Sequence, residues 1–290
     1  MVRIMLRKCS KDEFKQYADF AYQLATNKEK SSYPTYCDGI KTKEMFLNGT
    51  NKAFERDNEE VLLFIQDGKV EGLIHYYWLS EDKYVGINSF NINNSTKTAI
   101  SEFLSLLKTR FLGYELYMGF PMDNNLAIDF FNSHGYECIE DDYNNIAYLE
   151  EIDNIKDSTN LIHINEANYD KFKILHDQID GDMYWNSERI LADLKNWNIY
   201  VYEKDDSLIA AIYYMDEKDD WYEIFGIDMN NNKFNHEAFK TLLNKVLLDV
   251  KNNGGKILSF FCEESYEKET LECGFTKIGR YLCYKIGALN

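Results

Sequence analysis

With 290 residues, 45% of them hydrophobic and 15% aromatic, the chain has material for two ordinary cores and is not a disordered polypeptide. Only 2 prolines and 15 glycines exclude a Pro/Gly-rich linker or a collagen-like repeat, and no apolar run reaches the length of a membrane span. A net charge of −17 disfavours nucleic acid and acidic membrane surfaces, so any anion site must be local and built largely from backbone N–H groups. The acidity reads either as plain solubility or as long-range attraction for a cationic small molecule. Met1 to Lys8 lack the apolar core of a signal peptide, which leads us to expect a soluble cytoplasmic protein with no nucleic-acid or membrane partner. The 6 cysteines form no CxxC pair and the 5 histidines no HxH or HExxH spacing, so reduced thiols and no metal are expected.

In chain order, a strand from Val2 to Leu6 precedes a helix that opens on a capping box, Ser10 with Glu13, and carries Phe14, Tyr17, Ala18, Ala21 and Leu24 on one face. The loop from Ser31 to Gly39, containing Tyr33-Pro34-Thr35-Tyr36, leads to a second helix around Lys43 to Glu55. A hairpin follows, Val61 to Ile65 and Val70 to Trp78, turned by Asp67-Gly68. The stretch Gly86 to Leu104 begins as a strand with Ile87, Phe90 and Ile92 apolar, and passes through Asn93, Asn94 and Ser95 into helical spacing at Ile100, Phe103, Leu104 and Leu107. Such a turn aims unpaired backbone N–H groups and the positive end of the helix dipole at its contents, which suits phosphate. A strand at Glu115 to Phe120, a helix from about Asn125 to Ser133 and a strand at Asn145 to Leu149 complete the first half, and the acidic connector Glu150 to Thr159 follows.

The second half repeats this order. A strand at Leu161 to Ile164 leads to helices near Tyr169 to Gln178 and Glu188 to Asn196, then to a hairpin from Ile199 to Met215. Trp221 to Asn232 enter a helix with Ala238, Phe239, Leu242, Leu243 and Val246 on one face, followed by a strand at Ile257 to Phe261, a helix ending at Gly274 and a strand at Gly279 to Ile286. Four ordered matches support a duplication, all about 135 to 139 residues apart: Asp67 with Asp205, Phe90-Asn91-Ile92 with Phe225-Gly226-Ile227, Gly135-Tyr136 with Gly274-Phe275, and Tyr148 with Tyr284. We expect two α/β domains, residues 1–150 and 158–290, each a mixed, mainly antiparallel twisted sheet flanked by helices. Tyr33 to Tyr36 and Met183-Tyr184-Trp185-Asn186 fall at matching places, and aromatics among polar groups suit an amine-bearing ligand. Asn252 to Lys256 lack Walker spacing, and no nucleophile elbow or Rossmann fingerprint is present.

Each half ends in a signature, Asn124-Asn125-Leu126-Ala127 through Phe131 to Gly135-Tyr136 in the first and Thr270 to Gly274-Phe275 in the second. Together with the element order, these resemble the GNAT superfamily of acetyl-CoA-dependent N-acyltransferases, over nearly the whole chain and twice. The resemblance implies a tandem two-domain GNAT-like architecture with acetyl-CoA as co-substrate. It also implies that pantetheine lies along the central strand as an extra strand, that a backbone N–H polarises the thioester carbonyl, and that transfer is direct within a ternary complex. The motifs depart from the pattern. Thr96-Lys97-Thr98-Ala99-Ile100-Ser101 stands in place of the family's glycine-rich phosphate loop, Asn232 to Glu237 puts a carboxylate there in the second half, and the family's tyrosine is replaced by Phe131 and Thr270.

By this resemblance Phe90, Asn91, Ile92, Ser95, Thr96, Lys97, Thr98, Ala99 and Asn124 are the expected cofactor-binding residues, with Ser95 and Thr96 equally readable as plain helix caps. Glu223 occupies the place from which many relatives take the amine proton, with Asn88 nearest to it in the first half; a carboxylate facing solvent is the other reading. The expected function is transfer of an acetyl or other acyl group from CoA to a primary amine of a small, cationic acceptor, by a monomer or homodimer. The alternative is a catalytically inactive GNAT-like ligand-binding or interaction module.

Overall fold

The computed structural model describes residues 4–37, 40–153, 155–156, 161–179, 185–218 and 220–289. The first half of the chain forms β1 (Ile4–Lys8), α1 (Lys11–Ala25), α2 (Lys43–Ala53), β2 (Glu59–Gln66), β3 (Lys69–Leu79), β4 (Tyr84–Ile92), α3 (Thr96–Arg110), β5 (Glu115–Pro121), α4 (Asn125–Ser133) and β6 (Glu137–Tyr148). The second forms β7 (Leu161–His163), α5 (Asp170–His176), α6 (Ser187–Ala192), β8 (Trp197–Lys204), β9 (Ser207–Lys218), β10 (Trp221–Met229), α7 (His236–Asn252), β11 (Ile257–Cys262), α8 (Glu267–Glu272) and β12 (Thr276–Ala288).

Local chemistry sets several boundaries. The Glu13 N–H donates to Ser10 Oγ at 3.3 Å while the Ser10 N–H donates to the Glu13 carboxylate at 3.0 Å, closing the capping box of α1. Both hairpin turns use left-handed backbone, Asp67 and Gly68 with φ of 50° and 79°, Asp205 and Asp206 with φ of 50° and 60°. A two-residue turn of that hand matches the twist of the strands it joins.

The chain divides into two compact units, Met1–Asp141 with Gly279–Asn290, and Asp142–Ile278. In the first, the strand order is β1-β2-β3-β4-β5-β12, antiparallel except for the β4–β5 pair. In the second it is β6-β11-β10-β9-β8-β7, antiparallel except for β10–β11. Each unit is therefore a mixed, mainly antiparallel sheet with helices, as the sequence leads one to expect. The sheets bury both faces, so successive strand residues enter different cores. β2 sends Val61 and Leu63 to Phe14 of α1 and Phe46 of α2, and Leu62 and Phe64 to Phe103 of α3 and Phe131 of α4. β9 sends Ala211 and Tyr213 to Phe172 of α5, and Ile212 and Tyr214 to Phe239 and Leu243 of α7.

The units cut across the repeat. Residues Tyr281 to Ala288 of β12, the last strand of the chain, register on β5 of the first unit, and the Tyr284 ring stacks on Phe131 with centroids 4.8 Å apart. Residues Tyr143 to Tyr148 of β6 register on β11 of the second unit. Each sequence copy is completed by the terminal strand of the other. Among the described residues no helix is long and apolar enough to cross a membrane.

Candidate functional site

In each unit the parallel strand pair separates partway along. β4 and β5 register only at Tyr84 with Glu115 and Val85 with Leu116, and β10 and β11 only from Trp221 with Ile257 to Ile224 with Phe260. Beyond those rungs the N–H and C=O groups that face the gap need other partners. A bulge lies close by in both. β4 carries the extra residue Asn88 against the His75–Tyr76 step of β3, and β10 carries Phe225 against the Tyr213–Tyr214 step of β9.

These bulges correct the alignment of the repeat. The hairpin turns fix His75 as the counterpart of Tyr213, and Ser89 pairs with His75 as Gly226 pairs with Tyr213. Phe90-Asn91-Ile92 therefore corresponds to Ile227-Asp228-Met229, not to Phe225-Gly226-Ile227, and the counterpart of Glu223 is Gly86, not Asn88. The similar letters of Phe-Asn-Ile and Phe-Gly-Ile conceal a two-residue slip, because Phe225 is the bulged residue.

In the first unit the chain itself bridges the gap. The Ile92 N–H donates to Lys30 O at 2.9 Å, the Phe90 N–H to Ser32 Oγ at 2.8 Å, and the Tyr33 N–H to Gly119 O of β5 at 2.8 Å. Asn124, which caps α4 through the Ala127 N–H, also donates its side-chain amide to Ser31 O at 3.1 Å. Phe90, Ile92 and Asn124 are thus brought together around one gap. Asn91 is buried on the other face of β4, and among the described residues no partner meets its Nδ2. Ser95 stands at the N-cap position of α3, but with φ of 63° its side chain makes no cap bond. The buried Thr96 hydroxyl has no partner among the described residues, Thr98 is half-buried, and Ala99 is fully buried in the α3 core. Lys97 pairs with Asp129 at 3.4 Å, while the Glu71 carboxylate accepts from the side-chain amides of Asn93 and Asn94, both at 2.9 Å.

In the second unit the same register turns the Ile227 and Met229 N–H groups to the gap, and among the described residues none bonds to them outside the strand ladder. The turn ahead runs through Asn230–Asn232 to α7, where Asn235 caps the Ala238 N–H at 2.9 Å. Glu237, the carboxylate that counts against this turn in the sequence, is held by Lys204 at 2.8 Å. Glu223 is half-buried and lies across from Ser259 and Met215, on the face of β10 opposite Tyr222 and Ile224, which enter the α7 core. Thr270, at the place of the family's tyrosine, is buried and donates to Tyr266 O at 2.8 Å. Trp185 packs on Trp197 with centroids 5.2 Å apart; Met183 and Tyr184 lie outside the described residues.

One cluster escapes sequence reasoning. Asp228 sits between the two gap-facing amides, and its buried carboxylate lies 2.8 Å from Nδ1 of the buried His176, whose Nε2 lies 2.9 Å from Trp185 O. Tyr213, also buried, hydrogen-bonds the same carboxylate. Burial raises the Asp228 carboxyl pKa against the pull of His176. Burial disfavours the imidazolium of His176, but the bond and charge of Asp228 outweigh it and leave that pKa raised. An acidic residue at an inward strand position was the available signal. Elsewhere in this unit, a cavity of about 540 Å³ runs beside Lys240, Asn244, Glu272 and Cys273. Lys240 is tied to Glu272, and burial pushes the Cys273 thiol up to about 11.

No family model matches the chain, and no curated protein matches it in sequence. Solved structures do match it in shape. A GCN5-related N-acetyltransferase from Sphaerobacter thermophilus superposes with a TM-score of 0.65 at 12% identity, over 98% of this chain and 96% of its own. A tandem GNAT protein from the clavulanic acid biosynthesis pathway gives 0.56 at 9% identity, over 99% of both chains. The fold is the GNAT fold, in tandem. A GCN5-related glucosamine N-acetyltransferase region of a fungal multi-domain β-N-acetylglucosaminidase gives 0.62 at 9% identity, over 99% of this chain and 38% of that one. Identities this low carry the GNAT architecture and leave the acceptor to be argued from the site.

Proposed function

We propose that the chain is an N-acyltransferase that moves an acetyl or other acyl group from CoA to a primary amine of a small, cationic acceptor, with the donor held in the second unit. The observation that carries the reading is the pair of amides, Ile227 and Met229, facing a gap between parallel strands that leads to the start of a 17-residue helix. Those amides suit the carbonyls of an extended pantetheine arm as a neighbouring strand would. The N–H groups of the first α7 turn not used by Asn235 suit its diphosphate, and the tie of Glu237 to Lys204 lessens the repulsion there.

When bound, CoA would supply a thioester carbon for the amine to attack; the C–N bond would form as the C–S bond breaks, and CoA would leave as a thiolate that takes its proton from water, since Phe131 and Thr270 stand in place of the family's tyrosine. Glu223 takes the proton that the amine must lose, directly or through water. An enzyme-bound acyl intermediate is disfavoured at the buried thiols, because burial pushes Cys9 and Cys273 up to about 11 and Cys262 up to about 12. The protein's acidity draws a cationic acceptor.

Titration calorimetry with acetyl-CoA, followed by an amine library screened for CoA release, tests the proposal. Glu223→Gln is expected to lower kcat by about 10²-fold or more with cofactor affinity unchanged. Absence of both heat at millimolar acetyl-CoA and CoA release would refute it. That result would favour a non-catalytic module, the reading supported by Phe131 and Thr270 standing in place of the family's tyrosine.

A further inference from the structure

We propose that the first unit carries its own occupant: the segment Lys30 to Tyr33 fills the gap between β4 and β5 as a built-in stand-in for an extended ligand, so that the protein binds one acyl-CoA per chain. The stoichiometry rests on the acyltransferase reading above; the closure of the gap does not.

The segment makes the bonds that a ligand arm would make. It takes the Phe90 and Ile92 N–H groups on one side, gives the Tyr33 N–H to Gly119 on the other, and takes the Asn124 amide on a third. Ser31 and Ser32 are 0% and 1% exposed, so they replace solvent as well as ligand. Both ends are fastened. The Lys30 ammonium donates to Asn93 O at 2.5 Å, and the Tyr33 ring packs edge-on against Tyr281 at 4.8 Å. The turn ahead is equally unsuited to a diphosphate, because the Glu71 carboxylate lies against Asn93 and Asn94 and Lys97 is paired with Asp129. An arm entering here would have to expel the segment and strand its polar groups, each of which is costly to bury unpaired. Connector length differs between the copies in the same sense: 17 residues separate α1 from α2, and 10 separate α5 from α6.

Hydrogen exchange resolved to single amides on the whole chain, with and without saturating acetyl-CoA, together with calorimetric stoichiometry, tests this. In the ligand-free protein the Phe90 and Ile92 amides are expected to exchange at least about 100-fold more slowly than in an unstructured peptide. Acetyl-CoA is expected to bind once, slowing residues 225–240 and leaving 86–100 unchanged. A Ser32→Ala, Asn124→Ala double variant should speed exchange at Phe90 severalfold while the stoichiometry stays at one. Two equivalents bound, or ligand-induced exposure of residues 30–33, would overturn the proposal, as would fast exchange at Phe90 and Ile92 in the free protein. If acetyl-CoA does not bind at all, the acyltransferase reading and the stoichiometry fail together, and slow exchange at those two amides still upholds the closure.

Discussion

Replacing Tyr284, which lies in the second sequence copy, should damage the first unit. Tyr284 is fully buried, sits across from Met118 on β5, and stacks on Phe131 at 4.8 Å and 15°, with its hydroxyl 3.1 Å from Asn132 Oδ1. Truncating a buried aromatic to alanine costs about 3–5 kcal/mol in lost burial and residual cavity. Asn132 is exposed, so water replaces the lost hydroxyl and little is added. Since each 1.4 kcal/mol is tenfold, about 3–5 kcal/mol speeds exchange through global opening of the first unit by roughly 10²-fold to several thousandfold. Peptides from β2 to α4 should show this in hydrogen exchange, while α7 and β11 stay close to wild type. The mirror substitution Leu149→Ala, at a buried residue of the first copy that packs in the α7 core, should do the reverse at a cost of about 2–5 kcal/mol. If Tyr284→Ala loosened α7 and β11 instead, the assignment of β12 to the first unit would be refuted.

Gly226→Ala should destabilise the second unit by about 1–3 kcal/mol in urea melts, because its Cβ would lie 2.2 Å from the hydroxyl of the buried Tyr213; an unchanged midpoint would contradict the packing of β10 on β9. The His176–Asp228 pair makes stability fall as pH rises. Both pKa values are raised on folding, so the contribution is full below the unfolded values, the carboxyl's part is lost above about 4 and the imidazole's above about 6.5. Thermal melts of Asp228→Asn from pH 5 to 9 should show a flatter decline than wild type, and an equal slope would remove the pair as its cause. Raising salt should increase the KM of a cationic acceptor by screening, and a salt-independent KM would leave the acidity as solubility alone.

Much of the local structure was legible in the chain. The capping box at Ser10 and Glu13, the Asp67-Gly68 turn and the helix from Asn125 to Ser133 all form where the sequence places them, because each depends on groups only a few residues apart. The duplication was equally visible, and the element order with the Asn124–Tyr136 and Thr270–Phe275 signatures carried the resemblance to the GNAT fold that the solved structures bear out. The site was less legible. Phe225 matches Phe90 by letter, yet it occupies the bulge and is the counterpart of Asn88, which only the pairing of β10 with β9 and of β4 with β3 reveals. Ser95 has the side chain of a cap but a backbone conformation that aims it elsewhere.

The sequence by itself determined the elements, their order and their doubling, since periodicity, caps and turns are set by neighbours along the chain. Only the tertiary structure decided which sheet receives β6 and β12, what fills the gap between β4 and β5, and which carboxylate meets His176. The terminal strands stand at matching places in the repeat, Tyr148 with Tyr284, and that match alone does not assign either to a sheet. That choice, like the bond from Phe90 to Ser32 58 residues earlier, is made by contacts between distant residues, which no local window of sequence contains.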